Sequence, residues 1–113
     1  MKRGDVMLVF LPSPQGGSEQ AGDRPAVVVH ADGFRTGSQM VLIVPATSQT
    51  AAMRFPCSLL VQPSQLNGLT SPTVLLVSQL RAIDSRRIGR RLGELQPQDM
   101  TQLDQGLRRI LQL

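Results

Sequence analysis

Gln15-Gly16-Gly17-Ser18-Glu19-Gln20-Ala21-Gly22-Asp23-Arg24-Pro25 separates an apolar run at 6–11 from a second at 26–29. The stretch is too long and too polar for a hairpin turn. Its three glycines permit backbone angles closed to other residues and let the chain come close to a ligand. Between them stand Ser18, Glu19, Gln20, Asp23 and Arg24, with Ala21 the one apolar member. Connections of this length inside a compact domain carry function or are disordered. Arg24 lies one residue before a proline and three before Val27-Val28-Val29, so the base of a strand should hold its backbone. A charged group on a rigid strand beside a polar lip makes a site; a solvated surface loop is the competing reading.

Working outward, 6–11 is a continuous apolar run closed by Pro12, with the length of a buried strand. Residues 26–29 make a second strand and 40–44 a third, stopped by Pro45; 57–61 make a fourth, closed by Pro63. Between the second and third, Asp32-Gly33 and Thr36-Gly37-Ser38 punctuate a turn-rich excursion that carries Phe34. Residues 73–83, Thr-Val-Leu-Leu-Val-Ser-Gln-Leu-Arg-Ala-Ile, read as one long strand whose far half alternates and has one wet face. A short sixth strand is expected at 88–95, weakened by Gly89 and Gly93. Only the end is helical: Pro97 suits a first helical position, and Met100, Leu103, Leu107, Ile110 and Leu111 form one apolar stripe. The expected architecture is mainly β, a small curved sheet or half-open barrel closed by a C-terminal helix, in one domain over 1–113.

Composition narrows the function. The chain has 113 residues, 41% hydrophobic and 18% charged, which is the balance of a globular protein. No apolar run approaches a membrane span and the start is not a secretory signal, so a cytoplasmic protein with no membrane association is expected. One cysteine, Cys57, and one histidine, His30, leave no ligand set for zinc or iron, and no cofactor is expected. Cys57 reads as a small core residue and His30 as structural. The formal charge of +4 favours an anionic partner, with nucleic acid the first suspect. Three phenylalanines and no Trp or Tyr supply few stacking platforms, so phosphate contacts and pockets would carry RNA binding. Arg81, Arg86, Arg87, Arg90 and Arg91 form a basic cluster whose alternative reading is a solvated face.

Arg3-Gly4-Asp5-Val6, the segment from Gly17 through Arg24-Pro25 to Val29, Val44-Pro45-Ala46-Thr47-Ser48 and Gln79-Leu80-Arg81-Ala82-Ile83-Asp84 resemble the MazF/PemK/Kid family of toxins from bacterial toxin–antitoxin systems. The likeness extends through Gly93 and the terminal helix. It implies a small SH3-like barrel that forms homodimers and cuts single-stranded RNA at short sequences, stopping translation and growth. It also implies neutralisation by a MazE-like antitoxin whose acidic tail occupies the RNA groove, with operator DNA reached only through that antitoxin. The implied chemistry is metal-independent attack of a ribose 2′-hydroxyl on the adjacent phosphate, leaving a 2′,3′-cyclic phosphate and a 5′-hydroxyl.

Such a reaction needs a proton acceptor, a proton donor and positive charge or hydrogen-bond donors around the phosphate. By the resemblance, the key arginine falls on Arg24 and the key threonine on Thr47. A guanidinium can grip two phosphate oxygens but hardly ever releases a proton, so its role is electrostatic. Ser18, Glu19, Gln20, Ser48 and Gln79 match positions at or near the RNA. One position departs: where many relatives carry Asp or Glu, this chain has Ser78, which leaves Glu19, a water or electrostatic help alone to deal with the 2′-hydroxyl proton. Two other readings of the chain are a CcdB-like, non-enzymatic poison of DNA gyrase on the same fold and a plain RNA-binding module. The Arg24 and Thr47 pair favours the nuclease over the first, and the scarcity of aromatics weighs against the second.

Overall fold

A computed structural model describes residues 1–11, 22–33 and 39–113. The expectations for Ser18, Glu19, Gln20 and Phe34 lie outside the described residues. The elements are β1 (Asp5–Leu11), β2 (Gly22–Val28), β3 (Met40–Thr47), β4 (Leu59–Val61), β5 (Thr73–Leu75), β6 (Arg81–Asp84), β7 (Ile88–Glu94) and the helix α1 (Pro97–Leu111). The strands form an antiparallel sheet in the order β4-β5-β3-β2-β1-β7, with β6 also on β3. Among the described residues this path does not close on itself. Register shifts between β1 and β7, at Val6/Met7 and Met7/Val9, add local twist and bend the sheet.

The alternation of side chains along each strand sends apolar residues to both faces. Val6, Val27, Val44, Ala46 and Leu75 gather on one face, where Leu103 of α1 covers them. Met7, Val9, Ala26, Val28, Ile43 and Ile83 gather on the other. Each fully buried Val or Leu contributes about 1.5–3 kcal/mol relative to exposure. Pro97 opens α1, and Gln112 closes it in the left-handed conformation at φ 57°, with its N–H donated to the Arg108 carbonyl. Arg3 ties the chain's beginning to this helix: its guanidinium donates to the Val29 carbonyl at 3.0 Å and pairs with Asp104.

The expected long strand over 73–83 is broken into β5, a 3₁₀ turn at Val77–Gln79 and β6. Both pieces use the same edge of β3. Ala46 faces Leu75 and Ile43 faces Arg81, so three steps along β3 correspond to six along its partner. The turn takes up the surplus. Pro45 does not stop the third strand, which runs on to Thr47. The Pro45 carbonyl accepts from the Leu76 N–H at 2.8 Å, so the edge where the proline lacks a donor is the one facing the interrupted ladder. The second strand begins at Gly22, four residues earlier than expected, which puts Arg24 inside the ladder opposite Val9. In the fourth, only Leu59–Val61 pairs; Cys57 lies before it in a turn at φ 59°, half-buried and packed against the core. His30 is buried, with Nδ1 3.0 Å from the Ala31 carbonyl.

The segment before β5 lies backbone to backbone on β7. A Cβ added at Gly93 would stand 2.2 Å from the Leu66 carbonyl oxygen, and one at Gly68 would stand 2.0 Å from that of Leu92. Gly68 also holds φ 69°, so it needs glycine twice over. The contact is anchored by the Glu94 N–H, which donates to the Leu66 carbonyl at 2.9 Å. Gly93→Ala is therefore expected to destabilise the protein by about 1–3 kcal/mol through backbone overlap. Urea unfolding measures it, and an unchanged midpoint would refute the close approach.

Candidate active site

Arg24 and Thr47 come together through the pairing of β2 with β3. Ala26 faces Pro45, Val27 faces Val44 and Val28 faces Ile43. The same register carried two residues further sets Arg24 across from Thr47. Both line one cavity of about 300 Å³, together with Ser48 and Arg90. Leu8 and Leu92 supply apolar lining, and Thr70 and Ser71 line it with further hydroxyls. The described lining carries two guanidiniums and no carboxylate, so it suits an anion.

Thr47 is 4% exposed and its hydroxyl is positioned. The Gln49 N–H donates to Thr47 Oγ1 at 3.2 Å, occupying one lone pair and leaving the hydroxyl proton to be given elsewhere. Arg24 is exposed, on a strand held from both sides by β1 and β3. Arg90 comes from β7, and its neighbour Arg91 turns to different work, 3.3 Å from Asp5 and 3.4 Å from Glu94. Alternation along the strand explains why adjacent arginines part. Within the rest of the basic cluster, Arg86 is held by Asp84 through Nε at 3.1 Å and Nη2 at 3.0 Å. That bonding keeps the Asp84 carboxyl down at about 2.

One wall of the cavity is the turn that leads from Asn67 to Ser71. Asn67 is fully buried and organises it: its Oδ1 accepts from the Ser64 and Leu69 N–H groups at 3.0 and 2.9 Å, and its Nδ2 donates to the Gln62 carbonyl at 2.9 Å. The Asn67 N–H donates in turn to Ser64 Oγ at 3.1 Å. Thr73 Oγ1 donates to the Ser71 carbonyl at 2.9 Å, closing the turn against β5. All of this went unread in the sequence, although Asn67-Gly68 is a turn signal. Arg90 was also missed as a lining residue; the period-2 alternation of β7 would have separated it from Arg91.

Gln79 is not brought to this cavity. It lines a separate one of about 440 Å³ with Ser78, Leu80 and Arg81, on the turn and strand that follow β5. Of the sequence-based candidates within the described residues, the structure therefore joins Arg24, Thr47 and Ser48 and leaves Gln79 apart.

Comparison with known proteins gives a consistent picture. A family model described as PemK-like, MazF-like toxin of type II toxin-antitoxin system matches residues 2–111. An endoribonuclease MazF of Staphylococcus saprophyticus is 31% identical over 107 residues, covering 95% of this chain and 88% of that protein. Among solved structures, MazF of Deinococcus radiodurans superposes with a TM-score of 0.80 at 24% identity, covering 100% of this chain and 97% of that one. A MazE-MazF structure from the same organism is 27% identical, with a TM-score of 0.72 over 100% of this chain and 96% of that one.

Removing the buried Asn67 side chain strips partners from the two N–H groups and the carbonyl that it satisfies in the turn. Asn67→Ala is expected to cost about 2–4 kcal/mol and to loosen the cavity wall. Thermal unfolding with amide exchange of Leu69 tests this; undiminished protection there would contradict it.

Proposed function

The chain belongs to the PemK-like, MazF-like toxins of type II toxin–antitoxin systems, and from that premise we propose that it is a metal-independent endoribonuclease acting on single-stranded RNA at specific sequences. The observation that carries this reading is the shared cavity of Arg24 and Thr47, cationic and lined with hydroxyls. A phosphate seated there meets the Arg24 guanidinium, which grips two of its oxygens, and the Thr47 hydroxyl, which donates to one. Charge that builds on the phosphorus oxygens as the 2′-oxygen attacks is met by donors already in place, which costs no reorganisation at the moment of reaction. The 2′-O–P bond forms, the P–O5′ bond breaks, the 2′-hydroxyl loses its proton and the departing 5′-oxygen gains one. The products are a 2′,3′-cyclic phosphate and a 5′-hydroxyl.

Arg24 and Thr47 are assigned the stabilisation of charge, not the transfer of protons. Ser78 lines another cavity beside Gln79, apart from the one that Arg24 and Thr47 share. Ser48 contacts the RNA from the rim of the cleft, and Gln79 is left a supporting role away from it. The reading includes a homodimer, a cytoplasmic site of action and neutralisation by a MazE-like antitoxin. The relative solved as a MazE-MazF complex supports the last of these.

Arg24→Ala should lower cleavage of a short single-stranded RNA by at least about 100-fold, the scale of a lost transition-state donor, with an unchanged urea midpoint because the side chain is exposed. Cleavage at the unmodified protein's rate would show that the wrong residue has been chosen. Thr47→Ser should retain most activity and Thr47→Val should lose it. EDTA should leave the rate unaltered; strong inhibition would reject the metal-free chemistry.

A further inference from the structure

Phe10 is 50% exposed on a strand whose neighbours Val9 and Leu11 are buried. It lines a second cavity, of about 370 Å³, with Asp23, Arg87 and Gly89. Leu8 lines both cavities, so the two adjoin at that residue. The β1–β2 register explains the arrangement. Phe10 faces Asp23 and Leu8 faces Pro25, and residues directly opposite in an antiparallel pair share a face. The four residues thus form one continuous block. Its Leu8–Pro25 half lines the cavity that Arg24, opposite Val9 and so rooted on the other face, also lines with Thr47; its Phe10–Asp23 half lies two residues further along the strands, a step of roughly 7 Å.

We propose that this block is a nucleobase subsite for the nucleotide next to the cleaved phosphate, with Phe10 as the stacking surface and Asp23 as the group that reads the base. The proposal rests on the RNA-cleaving reading and deepens it. An aromatic face stacks on any base and so supplies affinity without choice. Choice comes from Asp23, whose carboxylate has no hydrogen bond or ion pair among the described residues and can only accept. Guanine offers it two adjacent N–H donors on its Watson–Crick edge and is favoured. Adenine and cytosine offer an amino group beside a ring nitrogen that repels the carboxylate. Uracil, whose single N–H stands between two carbonyl oxygens, is disfavoured most. Arg87 flanks the same cavity and is the cation placed for the next phosphate, since Arg86 is occupied by Asp84. The exposed carboxylate beside a cationic cleft, which would weaken plain phosphate binding, has its use in reading a base.

The test is to incubate a randomised single-stranded RNA pool with the unmodified protein, Asp23→Asn, Phe10→Ala, Phe10→Tyr and Arg24→Ala, and to sequence the 5′-hydroxyl ends. The unmodified protein should enrich guanine at one position flanking the cut. Asp23→Asn should reduce that enrichment by about 5-fold or more at that position alone, leaving the preferences elsewhere in place. Phe10→Ala should lower kcat/KM by about 10-fold, mainly through KM, and Phe10→Tyr should restore it. If Asp23→Asn keeps every base frequency, or slows cleavage evenly without shifting any, the base-reading role is refuted. Undiminished cleavage by Phe10→Ala refutes the stacking surface. In both cases Arg24-dependent ends show that the nuclease reading survives. A pool with no Arg24-dependent ends overturns the subsite and the nuclease reading together.

Discussion

The pairing of β2 with β3 is the constraint on which the site depends. Ala26 opposite Pro45 and Val27 opposite Val44 fix a register that, continued two residues beyond the ladder, brings Arg24 and Thr47 to one cavity. Because side chains alternate with a period of two, a slip of one residue would exchange the residues of the two faces and take the pair apart. The register is itself enforced by burial. Val27 and Val44 belong to the cluster under the helix, while Ala26, Val28 and Ile43 belong to the cluster on the opposite face. A slip of one residue would set Ala26 where Val27 fills one cluster and Val27 where Ala26 leaves no spare room in the other, so close packing on both faces resists it. Packing that stabilises the fold therefore also aligns the polar residues at the strand ends.

The second device is the close contact between the turn at Asn67-Gly68 and β7. Two glycines bring carbonyl oxygens to where side-chain carbons would otherwise stand, and one buried asparagine satisfies the backbone of the turn. Thr70 and Ser71 are carried by this turn, and Arg90 by the strand it rests on. The cavity is thus walled by backbone held in place from both sides. Preorganised donors serve catalysis best on such supports, because they need not move as charge develops.

Much of this was legible in the sequence where local physics governs. The β-branched and apolar runs located the strands, and the three- and four-residue spacing of Met100, Leu103 and Leu107 located the helix. What was hidden depended on partners far along the chain. The break within 73–83 cannot be read from its composition, since it arises because two segments must share one edge of β3. Pro45 looked like a stop because its tolerance depends on which edge of the strand needs a donor. For Arg24 and Thr47 the family resemblance implied that they face one groove, and the register of β2 on β3 is the physical reason that both line one cavity. Arg90 was legible only as one member of a basic cluster, because the residues that line the cavity with it come from other strands.

The central claim is that Arg24 and Thr47 act on one phosphate, and a double-mutant cycle on RNA cleavage tests it most directly. If both side chains stabilise the same transition state, Arg24→Ala combined with Thr47→Val will be little slower than the worse single variant, as residues acting as a unit are strongly non-additive. If the two losses multiply in full, the side chains work independently and the shared site is contradicted.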